Sequence, residues 1–184
     1  IHRRLVGSEM CIRDRGTRTR PATDRLRESV ISSLGASIEG CKVADLFAGT
    51  GSYGLEALSR GAASSTFFES DRATLTCLRQ NMQATMRSCD MDTNVAQVIA
   101  RDIFALDSNT PNYDLIFLDP PYDTISENLQ RIFEKVINPI AMVKARAVVE
   151  LPGNLEPKVN NWQILRRIGK TGTDKPTALV YAKG

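Results

Sequence analysis

Histidine is almost missing from this chain: 184 residues contain one, His2, at the extreme amino end. A Ser-His-Asp device or a histidine-rich metal centre needs an imidazole positioned inside the fold. Both are excluded, and no metal site is expected. Cysteine is scarce as well. Cys11, Cys41, Cys77 and Cys89 show no C-x-x-C spacing, so they are read as reduced thiols rather than as zinc ligands or a disulfide scaffold. No apolar run approaches the roughly 20 residues that cross a bilayer. The start, Ile1-His2-Arg3-Arg4, lacks the long apolar stretch of a secretory signal. A soluble cytoplasmic protein without membrane contact is expected. What remains for chemistry is carboxylates, backbone groups, hydroxyls or a cofactor.

What is present suits a single core: 42% of the residues are hydrophobic. The net charge of +3 is unevenly spread. Residues 1–28 hold eight arginines and four acids, and residues 158–184 hold six Lys/Arg and one acid. The segment between them is acidic, with ten basic and sixteen acidic residues. Basic ends beside an acidic centre fit phosphate binding at the ends, or ordinary solvated faces.

Residues 1–20 have no clear period and are expected to be an irregular or poorly ordered basic segment, with residues 21–184 forming the domain. Thr23 is placed as the cap of a helix over Asp24–Leu34, with Leu26, Val30, Ile31 and Leu34 on one apolar face. Strands and helices then alternate. Strands are predicted at Lys42–Phe47, Ser65–Glu69, Asn94–Ala100, Tyr113–Leu118 and Ala145–Leu151. A last pair, Gln163–Ile168 and Thr177–Ala182, flanks a hairpin loop at Gly169–Pro176. Helices are predicted at Ser52–Arg60, from an Asp71 cap toward Arg87, and at Ser126–Ile137. Alternation of this kind builds a mostly parallel sheet covered on both faces, and the terminal hairpin adds one antiparallel strand near the edge.

Two constellations carry chemistry. Asp45-Leu46-Phe47-Ala48-Gly49-Thr50-Gly51-Ser52-Tyr53-Gly54 ends the first strand and opens a helix. Gly49, Gly51 and Gly54 match G-x-G-x-x-G, the turn that brings backbone N–H groups to a ligand at a helix N-terminus. Glu69 ends the next strand at the spacing of a ribose-binding carboxylate. An adenosine-type cofactor follows from the two together; the alternative is a strand–turn–helix with packing glycines. The second constellation is Asp119-Pro120-Pro121-Tyr122, directly after the strand Tyr113–Leu118. Two prolines remove two backbone donors and stiffen the turn. The Pro120 carbonyl, the Asp119 carboxylate and the flat face of Tyr122 suit a planar base with an amino group. A turn that merely ends a strand is the alternative, and a nicotinamide oxidoreductase has no use for this group.

These residues resemble a known family. Asp119–Tyr122 is similar to motif IV of the amino-methyltransferases, and Asp45–Gly51 to their motif I. Glu69, with Ser70, matches their ribose-binding acid, and Arg101-Asp102-Ile103-Phe104 the segment that meets the cofactor's adenine. Arg20-Pro21-Ala22-Thr23-Asp24-Arg25-Leu26-Arg27-Glu28 closely resembles the R-P-T-x-D-R-x-R-E segment of the bacterial 16S ribosomal RNA guanine-N2 methyltransferases. Gly54-Leu55-Glu56-Ala57-Leu58-Ser59-Arg60-Gly61 supports the likeness, which runs from about Arg20 to the carboxyl end. Residues 1–16 depart from the basic, glycine-rich strand pair with which members begin.

The resemblance implies a Rossmann-like class I methyltransferase: an α/β fold with a seven-stranded, mostly parallel sheet, an antiparallel C-terminal strand and helices on both faces. It implies S-adenosyl-L-methionine as cofactor, held by Asp45, Phe47, Ala48, Gly49, Gly51, Glu69, Ser70, Asp102, Ile103 and Asp119. Asp119, Pro120 and Tyr122 would be catalytic, with Tyr122 stacked on the base. Arg18, Arg20, Arg25 and Arg27 would contact RNA phosphate. The expected partner is 16S rRNA within a 30S subunit or assembly intermediate, met by a monomer. A DNA adenine-N6 or cytosine-N4 methyltransferase, which shares the D-P-P-Y motif, and a noncatalytic RNA-binding assembly factor are the alternatives.

Overall fold

A computed structural model describes residues 21–106, 112–173 and 175–184. Four helices frame the fold: α1 (Pro21–Leu34), α2 (Ser52–Ser59), α3 (Arg72–Ser88) and α4 (Tyr122–Ile132). The strands are β1 (Lys42–Leu46), β2 (Ser64–Phe68), β3 (Ala96–Ile99), β4 (Tyr113–Leu118), β5 (Ala141–Pro152), β6 (Trp162–Gly169) and β7 (Pro176–Lys183). They form one sheet in the order β3-β2-β1-β4-β5-β7-β6. Neighbours from β3 to β5 pair in parallel, and β7 runs antiparallel to both β5 and β6. The expected architecture is therefore present, with the antiparallel strand one place in from the edge.

Strand periodicity sends the two faces of the sheet to different helices. Leu46, Phe68, Leu118 and Val149 share one face and meet Ile125, Leu129, Ile132 and Phe133 of the α4 region. Val43, Leu115, Phe117 and Val148 share the other and meet Leu26, Val30, Ile31 and Leu34 of α1, with Tyr53 and Ala57 of α2. On that second face Leu55, Leu58, Phe67, Leu75 and Leu78 join α2 and α3 to β2. Gly54 makes this closeness possible: a Cβ there would lie 2.4 Å from the Phe67 ring and 2.5 Å from Ser65 Oγ. The third glycine of the motif is thus a packing glycine.

Several boundaries differ from the expected ones. α1 begins at Pro21, before Thr23; proline suits a first turn because its missing N–H would have no partner there. The third strand is shorter than expected because Thr93–Val95 forms a 3-10 turn, with the Asp92 side chain accepting from the Asn94 N–H at 2.9 Å. α4 starts at Tyr122 directly after Pro121 and runs on through a π turn at Phe133–Ile137. β5 starts at Ala141, and a register shift opposite Tyr113–Leu115 accommodates Lys144 at φ 65°. Among the described residues no helix is long and apolar enough to cross a membrane.

Candidate active site

The carboxyl ends of β3, β2, β1, β4 and β5 lie side by side, so the sheet order sets the order of the site residues. Along this rim stand Asp102 and Ile103, then Glu69, then the Phe47–Gly51 turn, then Asp119, then Glu150. The junction of β1 and β4, where the sheet changes winding direction, falls between the glycine turn and Asp119. That is where open α/β sheets bind ligands. A cleft of about 870 Å³ opens there, lined by Arg27, Asp45, Gly49, Tyr53, Asp119 and Glu150 among others.

The turn after β1 is made by positive φ at Phe47 (58°), Gly49 (55°) and Gly51 (85°). Gly51 is the N-cap of α2 in the left-handed conformation, where glycine carries no Cβ penalty. Asp45, near the end of β1, lines the cleft together with Gly49. Its side chain accepts from the Gly54 N–H at 2.9 Å and is 2% exposed, so it ties β1 to the first turn of α2. Burial pushes its carboxyl up to about 8, against the Gly54 hydrogen bond, and the Asp119 charge adds to the rise.

Glu69 reaches across to the same turn. It accepts from the Gly49 N–H at 2.9 Å through Oε2, and from Ser70 and Asp71 N–H at 2.8 Å each through Oε1. A carboxylate offers about four acceptor positions. Three are taken by backbone, which leaves one acceptor position open. Asp102 caps the turn Ile103–Ala105 by accepting from the Phe104 N–H at 2.9 Å, and Ile103 is buried against Phe68's face of the sheet. These residues fit S-adenosylmethionine: acids at the ends of β2 and β3 for the nucleoside, and a helix N-terminus with left-handed glycines between them. No other group is needed to explain the arrangement.

Asp119 stands open to cleft water at the end of β4 yet is recessed among its neighbours. That setting pushes its carboxyl up to about 6, and the Arg27 charge acts against the rise. No described residue donates a hydrogen bond to it. Pro120 beside it is buried, and Tyr122 opens α4. Arg27 is placed differently from its neighbours in sequence. Its guanidinium pairs with Asp24 at 2.8 Å and lines the cleft, where it bears on Asp45, Asp119 and Glu150 alike. Arg25 is exposed on α1. Arg18 and Arg20 lie outside the described residues.

Two residues of the site were not among the expected ones. Glu150, 4% exposed, lies inside the buried run of β5, one strand over from Asp119. The Tyr53 hydroxyl donates to its Oε1, and the Tyr53 ring stacks on Phe117 at 4.6 Å. Burial first, then the Asp119 charge, pushes Glu150 up to about 8, and Tyr53 is raised well above its ordinary value. The signal lay in the sequence as a glutamate inside the apolar run Ala147-Val148-Val149-Glu150-Leu151.

The model of a family described as "Conserved hypothetical protein 95" matches residues 9–176. The chain belongs to this family. The match begins inside the stretch expected to depart from it. Ribosomal RNA small subunit methyltransferase D of Haemophilus influenzae is 37% identical over 103 residues, 56% of this chain and 53% of that one. The chain thus spans about half the length of this curated relative. The solved Escherichia coli structure named as methyltransferase yhhF is 32% identical, covers 89% of this chain and 87% of its own, and superposes with a TM-score of 0.72. A methyltransferase-named structure complexed with SAH shares the fold at TM-score 0.67, with 15% identity over 88% of this chain and 49% of that one. The fold is that of a class I methyltransferase, and the residues at its carboxyl rim fit S-adenosylmethionine.

Proposed function

We propose that the protein transfers a methyl group from S-adenosylmethionine to the exocyclic N2 amine of a guanine in 16S ribosomal RNA. The observation that carries this reading is Asp119-Pro120 at the end of β4, adjacent in the sheet to the glycine turn after β1. In this reading Asp119 is the acid that binds the amine, beside the cofactor loop, and support comes from curated relatives named for small-subunit ribosomal RNA.

An exocyclic amine is a poor nucleophile because its lone pair is shared with the ring. Asp119 and the Pro120 carbonyl accept its two N–H bonds, draw the nitrogen toward tetrahedral geometry and stabilise the positive charge that develops there. Groups fixed before the reaction do this without reorganisation. When bound, the cofactor supplies an electrophilic methyl on sulfur. Gly49, Gly51 and Glu69 align it for in-line attack. Asp119, raised to about 6, suits uptake of the proton that the methylated nitrogen must lose. Arg27 keeps the acids around the reacting nitrogen from all turning neutral. The exposed Arg25 is left for phosphate contact.

The test is methyl transfer from labelled S-adenosylmethionine to 16S RNA or 30S particles, with mass spectrometry of the product nucleoside. Label recovered as N2-methylguanosine supports the reading. Label in N6-methyladenosine or N4-methylcytidine, or in DNA, overturns it.

A further inference from the structure

Glu150 and Tyr53 are not used by the mechanism above, yet they form a buried side-chain pair at the site. Parallel register aligns Leu118 with Val149, so Asp119 and Glu150 are level on adjacent strands. Phe117 and Val148 face α1 and α2, and side chains two positions further on return to that face. Both carboxylates line the same cleft. Strands stand about 4.8 Å apart, near enough for side chains on adjacent strands to reach the same edge of one planar base. Tyr53 fixes one oxygen of Glu150. No described residue is seen to donate to the other, which is not sealed in the interior but reachable from the cleft. An acceptor fixed on one side and open to the cleft on the other is positioned to take a donor from a ligand held there.

Three nucleobases carry an exocyclic amine, and they differ in the neighbouring ring atom. In guanine the amine stands beside N1–H, a donor. In adenine and cytosine it stands beside a ring nitrogen that only accepts. Enzymes that act on a base take it out of the stack and read this edge.

We propose that Glu150, oriented by Tyr53, accepts the ring N1–H of the target base, so that the site takes guanine and refuses bases whose amine adjoins a ring acceptor. The proposal rests on the guanine-N2 reading and deepens it. In the empty cleft Glu150 is pushed up to about 8; donors from Tyr53 and from N1–H both favour its charged form. Arg27 from α1 favours the same form, while Asp119 opposes it.

The probe is 2-aminopurine riboside, which keeps the amine of guanine but replaces N1–H with an acceptor. The full chain is given 30S particles whose 16S RNA carries guanosine or 2-aminopurine riboside at the methylated position, mapped beforehand by mass spectrometry. The wild type should favour guanosine by about 10- to 150-fold in kcat/KM, the worth of one charged hydrogen bond. Glu150→Gln should lose or reverse that preference. Tyr53 holds the amide oxygen, so the NH2 group faces the base, opposing N1–H and matching the acceptor. Tyr53→Phe keeps the stack on Phe117 and should lose part of the preference. Titration with S-adenosylmethionine checks that each variant is folded.

Equal use of the two substrates by the wild type overturns the proposal, as does an undiminished guanosine preference in Glu150→Gln. Should that variant be inactive on both, an unchanged preference in Tyr53→Phe overturns it instead. Methylation of an adenine or cytosine amine with guanosine untouched is the different failure, that of the guanine reading itself.

Discussion

The carboxyl rim of β1, β4 and β5 and the aromatic corner beneath β6 and β7 both bury polar groups, and they treat them in opposite ways. In the corner Phe133 meets Trp162 and Tyr181 edge-on, at 5.1 and 5.2 Å. The Trp162 indole N–H donates to Asn138 Oδ1 at 2.8 Å, the Tyr181 hydroxyl to the Pro157 carbonyl at 2.8 Å, and Lys183 to the Ala141 carbonyl at 2.9 Å. Its polar tips are matched by acceptors on neighbouring elements. At the rim Asp45 and Glu150 are buried as deeply, yet each is held away from its ordinary charge state and faces other acids. Satisfied groups make structure; groups kept under electrostatic tension are available for a ligand.

Breaking the corner should cost the most. Phe133→Ala removes the ring that Trp162 and Tyr181 share and leaves a cavity, so stability should fall by about 3–5 kcal/mol. Denaturant titration measures this, and a loss under about 1 kcal/mol would mean that the corner repacks. The rim should answer in rate rather than stability. Asp119→Ala should lower methyl transfer by about 100- to 1000-fold while circular dichroism melts hardly move, because the carboxylate is solvent-facing and accepts no described hydrogen bond. Wild-type turnover by that variant would remove Asp119 from the mechanism.

Glu69→Ala sharpens the contrast, since Glu69 belongs to both categories. It braces the Gly49 N–H and, in the proposed reading, keeps an acceptor position for the cofactor. Calorimetry should record weaker S-adenosylmethionine binding by about 1.5–3 kcal/mol; unchanged affinity in a folded variant would deny it the ribose role. The smallest effect is on pH dependence. Asp45 has a carboxyl raised in the fold from 3.8 to about 8, so the folded state holds a proton that the unfolded chain releases. Its contribution is fully present below about pH 4 and fades as pH rises through 8. Asp45→Asn keeps an acceptor for the Gly54 N–H and cannot titrate. Its melting temperature should therefore fall less than the wild type's between pH 5 and 8. Parallel curves would contradict the raised value.

Legibility in the sequence followed the same division. β4 was readable to the residue because five of its six positions, all but Asp114, are apolar or half-apolar and the run is bounded by turn-formers. The glycine turn and Asp119 were readable because their residue types have few other uses. Glu150 was hidden because a strand buried on both faces has no polar–apolar alternation to mark which face a glutamate takes. Arg27 was grouped with Arg18, Arg20 and Arg25 by composition. Helical spacing says otherwise: it lies three before Val30 and four before Ile31, on the buried side of α1. The early start of β5 was missed because Met142, Val143 and Lys144 are exposed and the bulge there interrupts the period.

The pairing of β1 with β4 also has a meaning in time. Lys42 N–H reaches Asp114 across 72 residues, while β6 and β7 are joined by a short hairpin. Closing a long loop costs more chain entropy than closing a short one, and non-local pairing is slow. The hairpin can zip early from its own turn. The cofactor turn and Asp119 become neighbours only when the far halves of the chain have met, so catalytic competence should be among the last properties gained during refolding.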